Sequence, residues 1–120
     1  MKLDTIHKDR RGSISLMTED LKQFQEVTVF NTKGGFARGG CIHKKSEEFT
    51  IVIEGAVRYV MGGKGLILVC GQSTTIPKNT PHYFISLVDS VVIEWGALPE
   101  EKAEKHLATR KIVDAINSSN

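Results

Sequence analysis

Read by spacing, the middle of the chain collects side chains able to hold a metal ion or move a proton. Gly35 is followed after five residues by Cys41, after one more by His43, after four by Glu48 and after six by Gly55. A second set runs from Gly71 across five residues to Pro77, across one to Asn79, across two to His82 and across three to Ser86. Cys41, His43, Glu48 and His82 together offer sulfur, nitrogen and oxygen donors, a mixture that suits Zn²⁺, Fe²⁺, Mn²⁺ or Ni²⁺. Two histidines and one carboxylate would leave coordination positions open to substrate, whereas four protein ligands including a thiolate would close a tetrahedral zinc site. The metal-free alternative uses His43 or His82 as the base that removes a proton beside a keto group, with Tyr59 or Tyr83 as a candidate acid. Arg38 adds a planar guanidinium suited to a phosphate or carboxylate.

Short strands must position these groups. The chain has 11 glycines and 3 prolines, and most glycines separate short β-branched runs. Expected strands are 13–17, 26–31, 36–43, 48–54, 56–61, 65–70, 73–77, 82–86 and 90–95, with starts about eight to twelve residues apart as in an antiparallel sandwich or barrel. On a strand, Cys41 and His43 share a face. Lys44-Lys45-Ser46-Glu47 is short enough for a hairpin loop that returns Glu48 opposite His43, although a slip of one residue would present Glu47 instead. From Leu98 the pattern turns helical: Pro99 suits the first turn, Glu100 and Glu101 favour its positive end, and Ala103, Leu107, Ile112, Val113 and Ile116 recur at roughly helical spacing. The expected helix covers about 99–117.

Composition removes several classes of function. A chain of 120 residues accommodates one core, with the barrel at about 13–97 and the whole of 1–120 as a single domain. Sixteen Lys and Arg against 14 Asp and Glu leave a net charge of +2, without the basic excess of a nucleic-acid footprint. Apolar stretches such as Gly65 to Cys70 are too short to span a bilayer, and Met1 to Asp9 has no apolar signal region, so the expectation is a cytoplasmic protein whose Cys41 and Cys70 are thiols. His7 and His106 fit neither spaced set and read as surface residues, and Cys70 reads as packing.

The two sets resemble the paired motifs of the cupin superfamily, matching at Gly35, His43, Glu48, Gly55, Gly71, Pro77 and His82. Cys41 stands where the family's first motif has its first histidine, and Asn79 and Ser86 replace a glycine and an asparagine. The resemblance covers about 35–95 and implies a compact all-β jelly-roll barrel, commonly paired into homodimers through barrel edges. A narrower likeness runs through Asp9-Arg10-Arg11-Gly12-Ser13-Ile14, Gly34 to Gly40 and His43-Lys44-Lys45. These segments resemble the sugar-nucleotide branch, which includes dTDP-4-dehydrorhamnose 3,5-epimerases and TDP-4-oxo-6-deoxyglucose 3,4-ketoisomerases. That branch generally works without metal, with a histidine base after an Arg-Gly pair, here Arg38-Gly39, and arginines on the nucleotide diphosphate. Three readings follow: an isomerase or epimerase acting on a keto-sugar nucleotide, a metal-dependent oxygenase or isomerase using Cys41, His43, Glu48 and His82, and a non-catalytic module binding a small carbohydrate-type ligand.

Overall fold

Alternating burial along short strands, punctuated by glycine turns, builds two antiparallel sheets. The computed structural model describes residues 2–18, 27–98, 101 and 103–120. In chain order the elements are β1 (Lys2–Asp9), β2 (Gly12–Thr18), β3 (Val27–Thr32), β4 (Ala37–Ile42), β5 (Glu48–Glu54), β6 (Ala56–Met61), β7 (Lys64–Val69), β8 (Ser73–Ile76), β9 (His82–Ser86), β10 (Ser90–Trp95), β11 (Glu104–Lys105) and α1 (Leu107–Ser118). One sheet has the order β1-β2-β3-β10-β5-β8 and the other β11-β4-β9-β6-β7. Between β3 and β10 the chain changes sheet at every connection except the β6–β7 hairpin, which is the path of a jelly roll.

The core lies between the sheets. Val52, Val57, Tyr59, Leu68, Ile76, Phe84 and Val92 form one buried cluster, with Phe30 packed against it. The period of two then sends the intervening residues to the outer faces. On the outside of the second sheet, Ala37, Val60 and Tyr83 make a smaller cluster that Val113 of α1 covers, with Ile85 and Ile116 at its margin.

Two expectations need correction. The helix starts at Leu107, and Glu104–Lys105 instead extends the second sheet, pairing with Ile42 and Cys41 of β4. The strand edge of β4 offers unpaired backbone groups to the chain arriving there, and this pairing outweighs the helical spacing of the side chains. Ala103 and Leu107 are accordingly exposed, and the helix buries only Thr109 and Val113. Pro99 and Glu100 lie outside the described residues. The second correction is β1, which no apolar alternation announces; it is an edge strand held by β2 alone, with a register shift between Thr5 and His7.

Candidate metal centre

Four strands aim side chains into one end of the barrel interior. β5 buries Glu48, Thr50 and Val52, β9 buries His82, Phe84 and Ser86, β10 buries Val92 and Glu94, and β6 buries Tyr59. β4 reaches the same cavity by an irregularity. Arg38 pairs with Phe84 and Cys41 with His82, so the four residues 38–41 of β4 oppose the three residues 82–84 of β9, and the extra residue is absorbed at Gly39-Gly40. Arg38 and Cys41, three apart, would face opposite ways on a regular strand. The bulge brings both to the interior and carries His43 with Cys41. Only glycine fits there: φ is +118° at Gly39 and +96° at Gly40, and a Cβ on Gly39 would lie 2.8 Å from the His82 carbonyl oxygen and the Tyr83 Cα.

The expected hairpin between His43 and Glu48 does not form. Residues 43–47 pass from the second sheet to the first, so the two side chains meet across the barrel and not along one sheet. They meet closely, with His43 Nδ1 2.6 Å from Glu48 Oε1 and His82 Nε2 3.5 Å from that same oxygen. Ligand atoms of His43, Glu48 and His82 all fall within 4.8 Å of one another. Glu48 is the inward residue and Glu47 is exposed.

The trio fits a divalent transition ion. His43 Nδ1 and Glu48 Oε1 are both buried and face each other at 2.6 Å, an ion-pair distance at which a divalent cation could stand in for the shared proton. His82 Nδ1 lies 3.0 Å from the Thr80 carbonyl oxygen, which can only accept, so the proton sits on Nδ1 and Nε2 presents its lone pair to the cavity. Contact with the Glu48 carboxylate raises the pKa of His43, while burial lowers that of His82 and keeps it neutral. Both effects suit a set in which a cation takes the place of a proton.

A second layer surrounds the trio in a cavity of about 410 Å³. Tyr59, fully buried, donates its hydroxyl to Glu94 Oε2 at 2.6 Å. Burial, and after it the charge of Glu48, pushes Glu94 up to about 7. Glu94 belongs to neither spaced set, although a glutamate alternating with Val92 on a mostly apolar strand is a signal present in the sequence. One consequence concerns stability in the metal-free protein. Glu94 keeps its proton in the fold from its ordinary 4.5 up to about 7, whereas the unfolded chain has released it. Its contribution is therefore complete below pH 4.5 and falls by roughly 3 kcal/mol as pH rises toward 7. Urea melts should show Glu94→Gln with a flatter decline than wild type across that window; parallel curves would contradict the assignment.

The remaining candidates divide. Arg38 and Tyr59 line the cavity. Cys41 lines it too, but its sulfur is not among the atoms within 4.8 Å, and burial raises the thiol pKa so that it remains protonated. Tyr83, expected as a catalytic residue, points the other way: alternation on β9 turns it outward into the cluster beneath α1. Cys70 is exposed at a turn and does not pack. His7 sits beside Asp9 at 2.9 Å on the exposed β1, and His106 contacts Thr109 at 2.7 Å. No helix among the described residues is long and apolar enough to cross a membrane.

A family model described as Cupin domain matches residues 32–95. No curated protein matches the chain. Among solved structures, KdgF from Halomonas sp. aligns with a TM-score of 0.62 and 18% identity over 80% of this chain and 86% of that one. A sugar phosphate isomerase of the cupin superfamily from Silicibacter pomeroyi gives 0.63 and 20%, covering 77% of this chain and 64% of its own. The plu4264 protein of Photorhabdus luminescens gives 0.68 and 16%, covering 95% and 94%. At these identities the likeness is one of fold.

Proposed function

The chain belongs to the Cupin domain family, and from that premise we propose that it is a metal-dependent enzyme that isomerises a small carbohydrate-type substrate carrying a carbonyl group. The observation that carries this reading is the convergence of ligand atoms of His43, Glu48 and His82 within 4.8 Å of one another inside the barrel. His43, Glu48 and His82 would hold Zn²⁺, Fe²⁺, Mn²⁺ or Ni²⁺, which when bound polarises a substrate oxygen. Glu94, buried in the cavity wall and held through Oε2 by the Tyr59 hydroxyl, would be the carboxyl group that accepts and returns the proton. Phe30 and Phe84 line the cavity and, with the apolar core behind them, would limit water. A homodimer in the cytoplasm, with the small molecule as its partner, belongs to the same reading; the sheet edges β1, β7, β8 and β11 are where a second copy would pair.

The metal-free sugar-nucleotide reading retains one specific support, the Arg38-Gly39 pair beside a histidine that touches a carboxylate at 2.6 Å. Turnover of keto-sugar substrates, assayed before and after chelation, separates the two. Activity lost on chelation and restored by one added ion supports the metal enzyme. Turnover of a keto-sugar nucleotide that is indifferent to chelation, and abolished in His43→Ala, overturns it.

A further inference from the structure

Two guanidinium groups, those of Arg38 and Arg110, line this cavity, and neither is neutralised by a salt bridge among the described residues. Arg38 is 1% exposed; its Nε donates to Thr32 Oγ1 at 3.0 Å and its Nη2 to the Asn31 carbonyl at 3.3 Å, while its buried Nη1 has no partner. Arg110, delivered by α1, lays its aliphatic stem over Gly40, where the absence of a Cβ allows the approach, and donates Nη1 to the Gly39 carbonyl at 3.0 Å. Neither arginine enters a salt bridge among the described residues. Both line the metal cavity and also a neighbouring cavity of about 510 Å³ that shares Ile14, Phe30 and Gly39 with it.

All but one of the acidic groups nearby are otherwise engaged. Asp9 is gripped by Arg11 through Oδ2 at 2.6 Å, and Glu101 accepts from Ser46 and from the Lys45 amide. Glu48 faces the two histidines and Glu94 is hydrogen-bonded by Tyr59. The exception is Asp114, one turn along α1 from Arg110, which lines the neighbouring cavity but is in no salt bridge with either arginine. A buried guanidinium donor without an acceptor carries a desolvation cost that a ligand oxyanion would offset.

We propose that Arg38 and Arg110 form an oxyanion subsite for a phosphate monoester, so that the ligand is a phosphorylated small molecule with its phosphate at the junction of the two cavities. A phosphate near neutral pH carries a charge of about −1.5 to −2, which matches two guanidiniums held in no salt bridge, whereas a carboxylate neutralises one. Desolvation, and after it the charge of Arg11, lowers Arg38 to about 10, which leaves it cationic at neutral pH. Arg110 is thus a specificity-determining residue supplied by the C-terminal helix. The subsite rests on the proposed function only for the orientation of the ligand's opposite end toward His43, Glu48 and His82.

The test is calorimetric titration of inorganic phosphate into wild type, Arg110→Met and Arg110→Lys, each with its metal content measured and each repeated after chelation. Arg110→Met keeps the stem that covers Gly40 and removes the charge. Phosphate should bind wild type and weaken on the order of 10- to 100-fold in Arg110→Met, the range expected for losing charged hydrogen bonds, with Arg110→Lys between them and metal content equal in all three. Failure of the metal reading would leave the chelated phosphate titrations unchanged, so the two proposals fall separately. Absence of phosphate heat in wild type, or equal affinity in Arg110→Met, overturns the subsite. Malonate binding as tightly as phosphate overturns the assignment to phosphate.

Discussion

Protein purified without chelators or a metal-binding tag is expected to carry a transition ion, and Glu48→Ala and His82→Ala are expected to lose it while Cys41→Ala keeps it. Removing Glu48 takes away the oxygen that faces both histidines, at 2.6 and 3.5 Å. Removing His82 takes away the nitrogen whose lone pair the Thr80 carbonyl orients. Changes to groups that merely orient a ligand cost roughly 10- to 100-fold in affinity, so losing a ligand itself should cost at least about 100-fold. Cys41 stands outside the trio and its buried thiol stays protonated, so its loss should leave occupancy at the wild-type level. Elemental analysis after dialysis reads all four proteins. Occupancy in Cys41→Ala that falls as far as in His82→Ala would make sulfur a ligand and overturn the three-residue site.

Gly39→Ala should be among the most damaging single methyl additions in this chain. The new Cβ would press at 2.8 Å on the His82 carbonyl and the Tyr83 Cα, backbone atoms that cannot rotate away. The residue would also be held at φ +118°, outside the range L side chains readily adopt. Strain of about 1–3 kcal/mol and overpacking of a similar size give an expected loss of roughly 2–6 kcal/mol, measured from the urea midpoint. If the strand escapes by returning to regular alternation, Cys41 and His43 turn away from the cavity and metal affinity falls with stability. A variant within about 0.5 kcal/mol of wild type, the range of an ordinary surface change, would mean that the bulge does not set the direction of His43.

Much of the fold was legible because alternation and glycine turns are local signals. The strands 48–54, 56–61, 82–86 and 90–95 appear in the structure with those same bounds. The expected two-sheet barrel with one C-terminal helix is the observed architecture. β1 escaped notice because Lys2 to Asp9 is a largely polar edge strand, whose only signal is its pairing with β2. The start of α1 was misplaced for a related reason, since Glu104 and Lys105 gain a strand partner that their own sequence does not reveal.

The candidate site divides along the same line. Sequence alone determined that His43, Glu48 and His82 stand at spacings suited to one site, and that Arg38 and Tyr59 are polar groups on strands nearby. Periodicity states which residues share a face but not which face is inside. Only packing decided that Phe84 and His82 turn inward, which put Tyr83 under α1. Glu94 and Arg110 acquire their chemistry solely from tertiary placement, one by burial beside Tyr59 and the other by a helix returning over Gly40. The one extra residue at Gly39-Gly40 decided the direction of Cys41 and His43, because a side-chain period of two converts a single-residue slip into a reversal of faces.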